Sequence, residues 1–327
     1  MRSINNKIFI FGFLLCILTF LVGLGYYLMQ QTSDAQMQRT FDYLPESANW
    51  STELNSTITI EISADFVLVE KGIDRRHFFG IFLAGPEDLI DGLYFMESKD
   101  GMFFEDAVKL SDIDTDLLGS LIYSSQMLSL IYNEEDKRFE AIFADPEKED
   151  VICYTSEDGE SWDSYPIALN SNRWQHSNIL HVQGLGYFQF SNEKVGVVKM
   201  YRAEGLEDLN AAKPVEIEIE LSPQQMAGQI RAIYHNSYYY LLIDNLPNGD
   251  LNASSSTLAR SKDLQNWESF EDFDLIAKQE LNGTGPMIGH TDMIAWQNNL
   301  VVYFTAYSKD YSQIEKKLVK LKLDELF

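Results

Sequence analysis

The chain has 327 residues, with 50 acidic side chains against 25 basic ones, a formal charge of −25 and a pI near 4.4. That balance argues against a nucleic-acid ligand, which needs a basic surface. The acids are spread along the chain rather than gathered in one tail, so most read as a solvated surface that keeps the protein soluble.

The first element is apolar. "KIFIFGFLLCILTFLVGLGYYLM" runs from Lys7 to Met29, long enough to cross a hydrocarbon core of ~30 Å as a helix. Arg2 and Lys7 lie on its N-terminal side, which favours an inside N-terminus and an outside C-terminus. Bulky residues at its end argue against signal cleavage there. Residues 1–30 therefore read as a signal anchor, a transmembrane helix that leaves the rest outside the cytoplasmic membrane. Secretion after cleavage behind "SDA" is the alternative. Cys16 follows Leu15, a poor lipoprotein signal. Residues 31–54 read as a linker and 55–327 as one domain, large enough for a substantial core. Cys153, in the apolar run "VICY", is the one cysteine of that domain. An intrachain disulfide and a cysteine metal cluster are thereby excluded from it, and a buried thiol is expected.

From about residue 64 the chain repeats itself. An apolar stretch, a polar turn and an aromatic strand recur from Ala64, Ser125, His176, Gly228 and His290. The five units are roughly fifty residues apart, a period found in propeller blades. A second pattern follows three of them: "MESKDGMFFEDA" from Met96, "YTSEDGESWDSY" from Tyr154 and "ARSKDLQNWESF" from Ala259. Each reads Ser, any residue, Asp, Gly or Leu, two residues, then an aromatic. A fainter copy begins at Tyr201. Apart from the apolar start, β-branched and aromatic runs alternate with Gly, Asn and Asp turns, and the tail "KLVKLKL" alternates as a strand. Evenly spaced short strands with a repeated turn point to radial repetition. The expected fold is all-β, a five-bladed β-propeller preceded by an N-terminal transmembrane helix.

The repeated turn reads as scaffold. Its Ser and Asp side chains can take the backbone amides of the turn, Gly159 can adopt a positive φ, and Trp162 and Trp267 can cover the blade. Asp100, Asp158 and Asp263 are accordingly not expected in an active site.

These turns resemble those of the five-bladed glycoside hydrolases of families 43, 32 and 68, and the Asp-boxes of sialidases. The resemblance covers nearly all of the chain after about residue 55. It implies a central funnel with acidic residues at the starts of the innermost strands. In an inverting glycosidase one carboxyl protonates the leaving oxygen while a second activates water. Asp65 in "SADFVLV" matches the family's first catalytic Asp, with Phe66 where Pro is usual. Gln126 stands in the second unit. Trp174 and His176 stand in the third, with His176 and Ser177 where Asp-Pro is often found. In the fourth unit Arg231 and Ala232 replace the Pro and acid Glu of the family segment, and in the fifth "GHTDM" supplies His290 and Asp292. The resemblance thus implies Asp65 and Asp292 as catalytic candidates, with Asp65 as base and no counterpart of the acid. Gln126, Trp174, His176, Arg231 and His290 are the candidate sugar contacts, since aromatic faces and planar donors suit carbohydrate. No HExxH pair, DxDxDG loop or Gly-rich phosphate loop occurs, so neither metal nor cofactor is expected. The expected partners are a glycan or polysaccharide and, through the N-terminal helix, a membrane. The expected function is glycan binding with little or no catalysis, the alternative an active hydrolase.

Overall fold

The computed structural model describes residues 18–25, 27–28, 44, 46–54, 57–58, 64–69, 78–85, 91–112, 128–145, 150–167, 177–194, 197–217, 219, 225–247, 255–270, 287–308 and 314–326. Of the apolar start, residues 18–25 and 27–28 are helical. Among the described residues no helix is long and apolar enough to cross a membrane.

Three short strands open the fold: Ser47–Asn49 (β1), Ser51–Leu54 (β2) and Thr57–Ile58 (β3). Five units of four strands follow. The first holds Ala64–Leu68 (β4), Phe78–Ala84 (β5), Gly92–Ser98 (β6) and Phe103–Asp112 (β7). The second holds Leu128–Asn133 (β8), Arg138–Asp145 (β9), Asp150–Ser156 (β10) and Asp163–Ile167 (β11). In the third are Ser177–Val182 (β12), Gly186–Lys194 (β13), Val197–Ala203 (β14) and Val215–Ile217 (β15). In the fourth are Gln225–His235 (β16), Tyr238–Pro247 (β17), Ser255–Ser261 (β18) and Glu268–Phe270 (β19). The fifth has Met287–Trp296 (β20), Asn299–Tyr307 (β21) and Ile314–Lys322 (β22), and β1 completes it by pairing antiparallel with β22. The first strand of each unit is innermost. These five touch in a closed ring, β4 to β8 to β12 to β16 to β20 and back to β4. The fold is a five-bladed β-propeller.

Each seam between neighbouring blades has its own apolar core. Phe79 and Phe95 of blade 1 meet Phe139 of blade 2, with ring centroids 4.8 and 5.1 Å from Phe139. Ile142 and Cys153 meet Ile179 and Tyr201 at the next seam, Phe188 and Phe190 meet Leu241 and Ile243, and Leu242 and Leu258 meet Val302 and Phe304. Alternate side chains of a strand point to opposite faces, and both faces of each sheet are covered, so the strands read as nearly unbroken apolar runs.

The seam between blades 5 and 1 is bridged by the N-terminal strap. Residues 47–54 fall inside the stretch read from the sequence as a linker. Here β1 joins blade 5, while β2 lies parallel to β7 of blade 1. Trp50, between them, is buried against Phe82, Phe104 and Tyr303, its centroid 5.9 to 6.0 Å from theirs.

The repeated turns share one hydrogen-bonding scheme. In the second, Gly159 N donates to Ser156 Oγ at 2.8 Å, and Glu160 N and Ser161 N donate to Asp158 Oδ1 at 2.8 and 2.9 Å. The turns at Asp100 and Asp263 repeat these bonds. Such donors favour the ionised form and hold the carboxyls of Asp158 and Asp263 below the usual range. Gly159 has φ +84°, and a Cβ there would meet the Phe95 ring at 2.8 Å. Leu264 takes the same left-handed position at φ 63°. Trp162 Nε1 donates to Gly159 O and Trp267 Nε1 to Leu264 O, so both indoles sit against equivalent turns.

Candidate functional site

The innermost strands run through the blades in equivalent registers. Val67, Ile131, Leu180, Ile233 and Ile294 each pack into the seam toward the following blade. Two residues earlier on the same strands stand Asp65, Ser129, Asn178, Arg231 and Asp292. Positions two apart share a strand face, so these five are equivalent register positions of one layer across the ring. Four have described side chains, and all four are buried.

The layer is stitched from blade to blade. Ser129 Oγ accepts from Ile179 N at 2.9 Å and from Asn178 Nδ2 at 3.1 Å. Asn178 Oδ1 accepts from Ala232 N of the next blade at 3.0 Å. Arg231 cannot continue the series, because guanidinium has no acceptor. Its Nε lies 3.7 Å from Asp292 Oδ1, and Met293 N donates to that same oxygen at 2.7 Å. Arg231 is 1% exposed and Asp292 2%. A buried charge needs an opposite charge, and each supplies it for the other.

Behind this pair lies a second carboxylate. Asp244, on β17, accepts from Thr291 Oγ1 at 2.8 Å and from Ser256 Oγ at 3.2 Å. Burial pushes its pKa up to about 6, against the opposing pull of those two hydroxyls and of Arg231. Burial, and next the charge of Asp292, also raise the phenol of Tyr303, which faces Asp292 across β20 and β21. Asp292 and Arg231 each follow a register shift in their strand, between Gly289 and Asp292 and between Ala227 and Ile230. Such irregularities re-aim side chains next to sites.

Of the residues expected from the sequence, Arg231 and Asp292 are in contact. Asp65 holds the matching position on β4, which adjoins β20; its side chain and that of His290 on β20 lie outside the description. Gln126, Trp174 and His176 are outside the described residues. Sequence reasoning did not single out Ser129, Asn178 or Asp244. The only trace of Asp244 is one acid within the apolar strand "YYYLLIDNLP".

A cavity of ≈170 Å³ runs along the axis from Asn178 and Asp292 toward the C-terminal ends of the inner strands. All five inner strands line it. Among the described connections at that end, 133–138 and 235–238 are tight hairpins. The opposite mouth, where the polar layer lies, is where the inner strands begin.

This architecture recurs among solved structures. The Bacteroides ovatus xyloglucan PUL GH43B superposes with a TM-score of 0.57 at 13% identity, over 85% of this chain and 53% of its own. A xylan β-1,4-xylosidase from Bacillus halodurans gives 0.55 at 17% identity, over 80% and 52%. The chain has the propeller fold of family 43 glycoside hydrolases. It spans about half the length of those two proteins. An N-acetylgalactosamine deacetylase from F. plautii, solved with blood group B trisaccharide, gives 0.59 at 13% identity over 85% of this chain and 94% of its own. No family model matches the chain, and no curated protein does.

In the family 43-like ring Asp292 lies against Arg231 and accepts a hydrogen bond from Met293 N. Asp244 has the raised pKa that a proton donor needs, but it sits on the second strand, fully buried and bonded to Thr291 and Ser256.

Proposed function

We propose that this chain is a membrane-anchored propeller outside the cytoplasmic membrane that binds a glycan at the mouth where its inner strands begin, with little or no hydrolysis. The observation that carries this reading is the Arg231–Asp292 pair. A glycosidase of the two-carboxyl type needs one carboxyl kept protonated to release the leaving group. Arg231 stands in the segment where the sequence resemblance would put that acid, and its guanidinium lies 3.7 Å from Asp292. What remains is a buried cation–carboxylate pair near the start of the inner strands, an arrangement suited to orienting hydroxyl groups. The anchor rests on the apolar run from Lys7 to Met29 with Arg2 and Lys7 before it.

A second reading keeps the enzyme. Asp65 occupies the carboxylate position of the polar layer on β4, beside β20, and would serve as the base with an acid supplied from a loop. One experiment separates the two. The full-length chain is titrated with xylo- and galacto-oligosaccharides and blood group B trisaccharide, following binding by calorimetry and hydrolysis by product chromatography. Binding without products, weakened by Arg231→Ala, is the expected result. Turnover at ordinary enzymatic rates that Asp65→Asn abolishes would establish the second reading, and absence of binding to the whole panel would refute the first for these sugars.

A further inference from the structure

We infer that the far mouth of the axial cavity, where the inner strands end, is a second binding site for one neutral sugar ring or cyclic polyol. The cavity, ≈170 Å³, would hold about five or six waters at their liquid volume of ~30 Å³ each, a space on the scale of a single pyranose. Its walls mix two kinds of surface. Val67, Ile131, Leu180, Ile233 and Ile294 give the strands their apolar seam contacts. Each inner strand pairs within its sheet on one edge only, and the other edge is turned to the axis. Backbone at such an edge presents donors and acceptors alternately along the strand. A ligand with hydroxyls around its circumference and C–H groups on its faces complements that combination.

The rim supplies rings. Tyr132, His181, Tyr234 and His235, near the ends of their strands, line the cavity, and Tyr234 is 38% exposed. Each is held by a neighbour: Tyr132 against Phe139, His181 against Tyr187 and Tyr234 against Tyr239, with centroids 5.1, 4.7 and 4.7 Å apart. His235 Nε2 lies 2.6 Å from Gln297 O of the next blade. Rings fixed before the ligand arrives lose little freedom on binding.

The lining also sets the charge of the ligand. Burial lowers the pKa of His235 more than the Gln297 carbonyl raises it, so the ring is neutral at neutral pH. The carboxylate at the inner end, Asp292, is already matched by Arg231. Asp292 aside, the described lining carries no Asp, Glu, Lys or Arg, which favours a neutral ligand. This mouth is distinct from the proposed glycan site, which lies at the opposite ends of the same strands.

The test uses the full-length chain with D-xylose, D-galactose and myo-inositol as probes, followed by saturation-transfer NMR. Saturable binding of at least one is expected, with a Kd on the order of millimolar, as so small a ligand allows. Tyr234→Ala should weaken it about fivefold, the scale of one aromatic contact. Ala295→Phe, which enlarges a lining residue packed in the seam of blades 4 and 5, should abolish it. Neither variant should alter oligosaccharide binding at the opposite mouth. Absence of saturable binding by all three probes overturns the inference, as does binding that both variants leave unchanged. If Ala295→Phe does not fold, the exposed Tyr234 position still decides. Loss of oligosaccharide binding in the parent chain, with probe binding that Tyr234→Ala weakens, would refute the proposed glycan site and leave this one standing.

Discussion

Replacing Asp244 with Asn tests the buried charge cluster through the pH dependence of stability. The carboxyl has an ordinary value of 3.8 and is raised to about 6 in the folded state. Each tenfold change in proton affinity is worth ~1.4 kcal/mol, so the difference amounts to about 3 kcal/mol. The sign follows from proton binding. Between the two values the folded chain holds a proton on Asp244 that the unfolded chain has released, so stability falls as pH rises through this window. The contribution is fully present below the unfolded value and lost above about pH 6. The amide of the Asp244→Asn variant cannot titrate, and its oxygen can still accept from Thr291 or Ser256. Urea unfolding of both proteins, from about pH 4 to 7, gives the comparison. The stability of the parent relative to Asp244→Asn should drop by about 2.4 kcal/mol across that range, most of the full difference, while the background titration of the other acids cancels. A difference that stays flat, or one that grows with pH, would show that Arg231 rather than burial governs this carboxyl.

Three further outcomes are expected. Arg231→Ala leaves Asp292 buried without its partner and should cost about 3–5 kcal/mol in urea unfolding, whereas Arg231→Lys, which keeps the charge, should recover part of it. Trp162→Ala removes the indole that packs on Phe95 and Phe139, with centroids at 4.9 and 6.3 Å. It should cost roughly 3 kcal/mol, the low end for a partly buried ring, with glycan affinity unchanged; reduced affinity would mean that the turn does more than brace the blade. Trp50→Ala at the seam of blades 5 and 1 should cost about 3–5 kcal/mol, and limited proteolysis should then cut the strap first. Cleavage elsewhere first would show that the strap does not hold that seam.

Much of the architecture is written locally. The Ser-x-Asp turns can be read one at a time, because every bond in them spans two or three residues, as from Ser156 to Gly159. The spacing of the apolar units gives the number of blades for the same reason: each unit is one hairpin-linked sheet. The tail is likewise a strand, β22, with Leu318 packed in the seam of blades 5 and 1 and Leu321 in that of blades 4 and 5.

The polar layer is a different matter. Alignment of strand starts by resemblance brings forward Gln126 and His176, whereas the equivalent positions in the folded ring are Ser129 and Asn178. A strand repeats every two residues, so the sequence leaves its registers open, and the seam contacts of Ile131 and Leu180 choose among them. The strap is also settled by tertiary structure, since β1 pairs with β22 from the far end of the chain, and nothing near Ser47 announces its partner. Asp244 reads in the sequence as one more acid among fifty. Only the folded ring sets it beside Thr291 and Ser256 and within reach of the Arg231 charge, because burial and countercharge belong to the packing of blades 4 and 5 and not to any stretch of sequence.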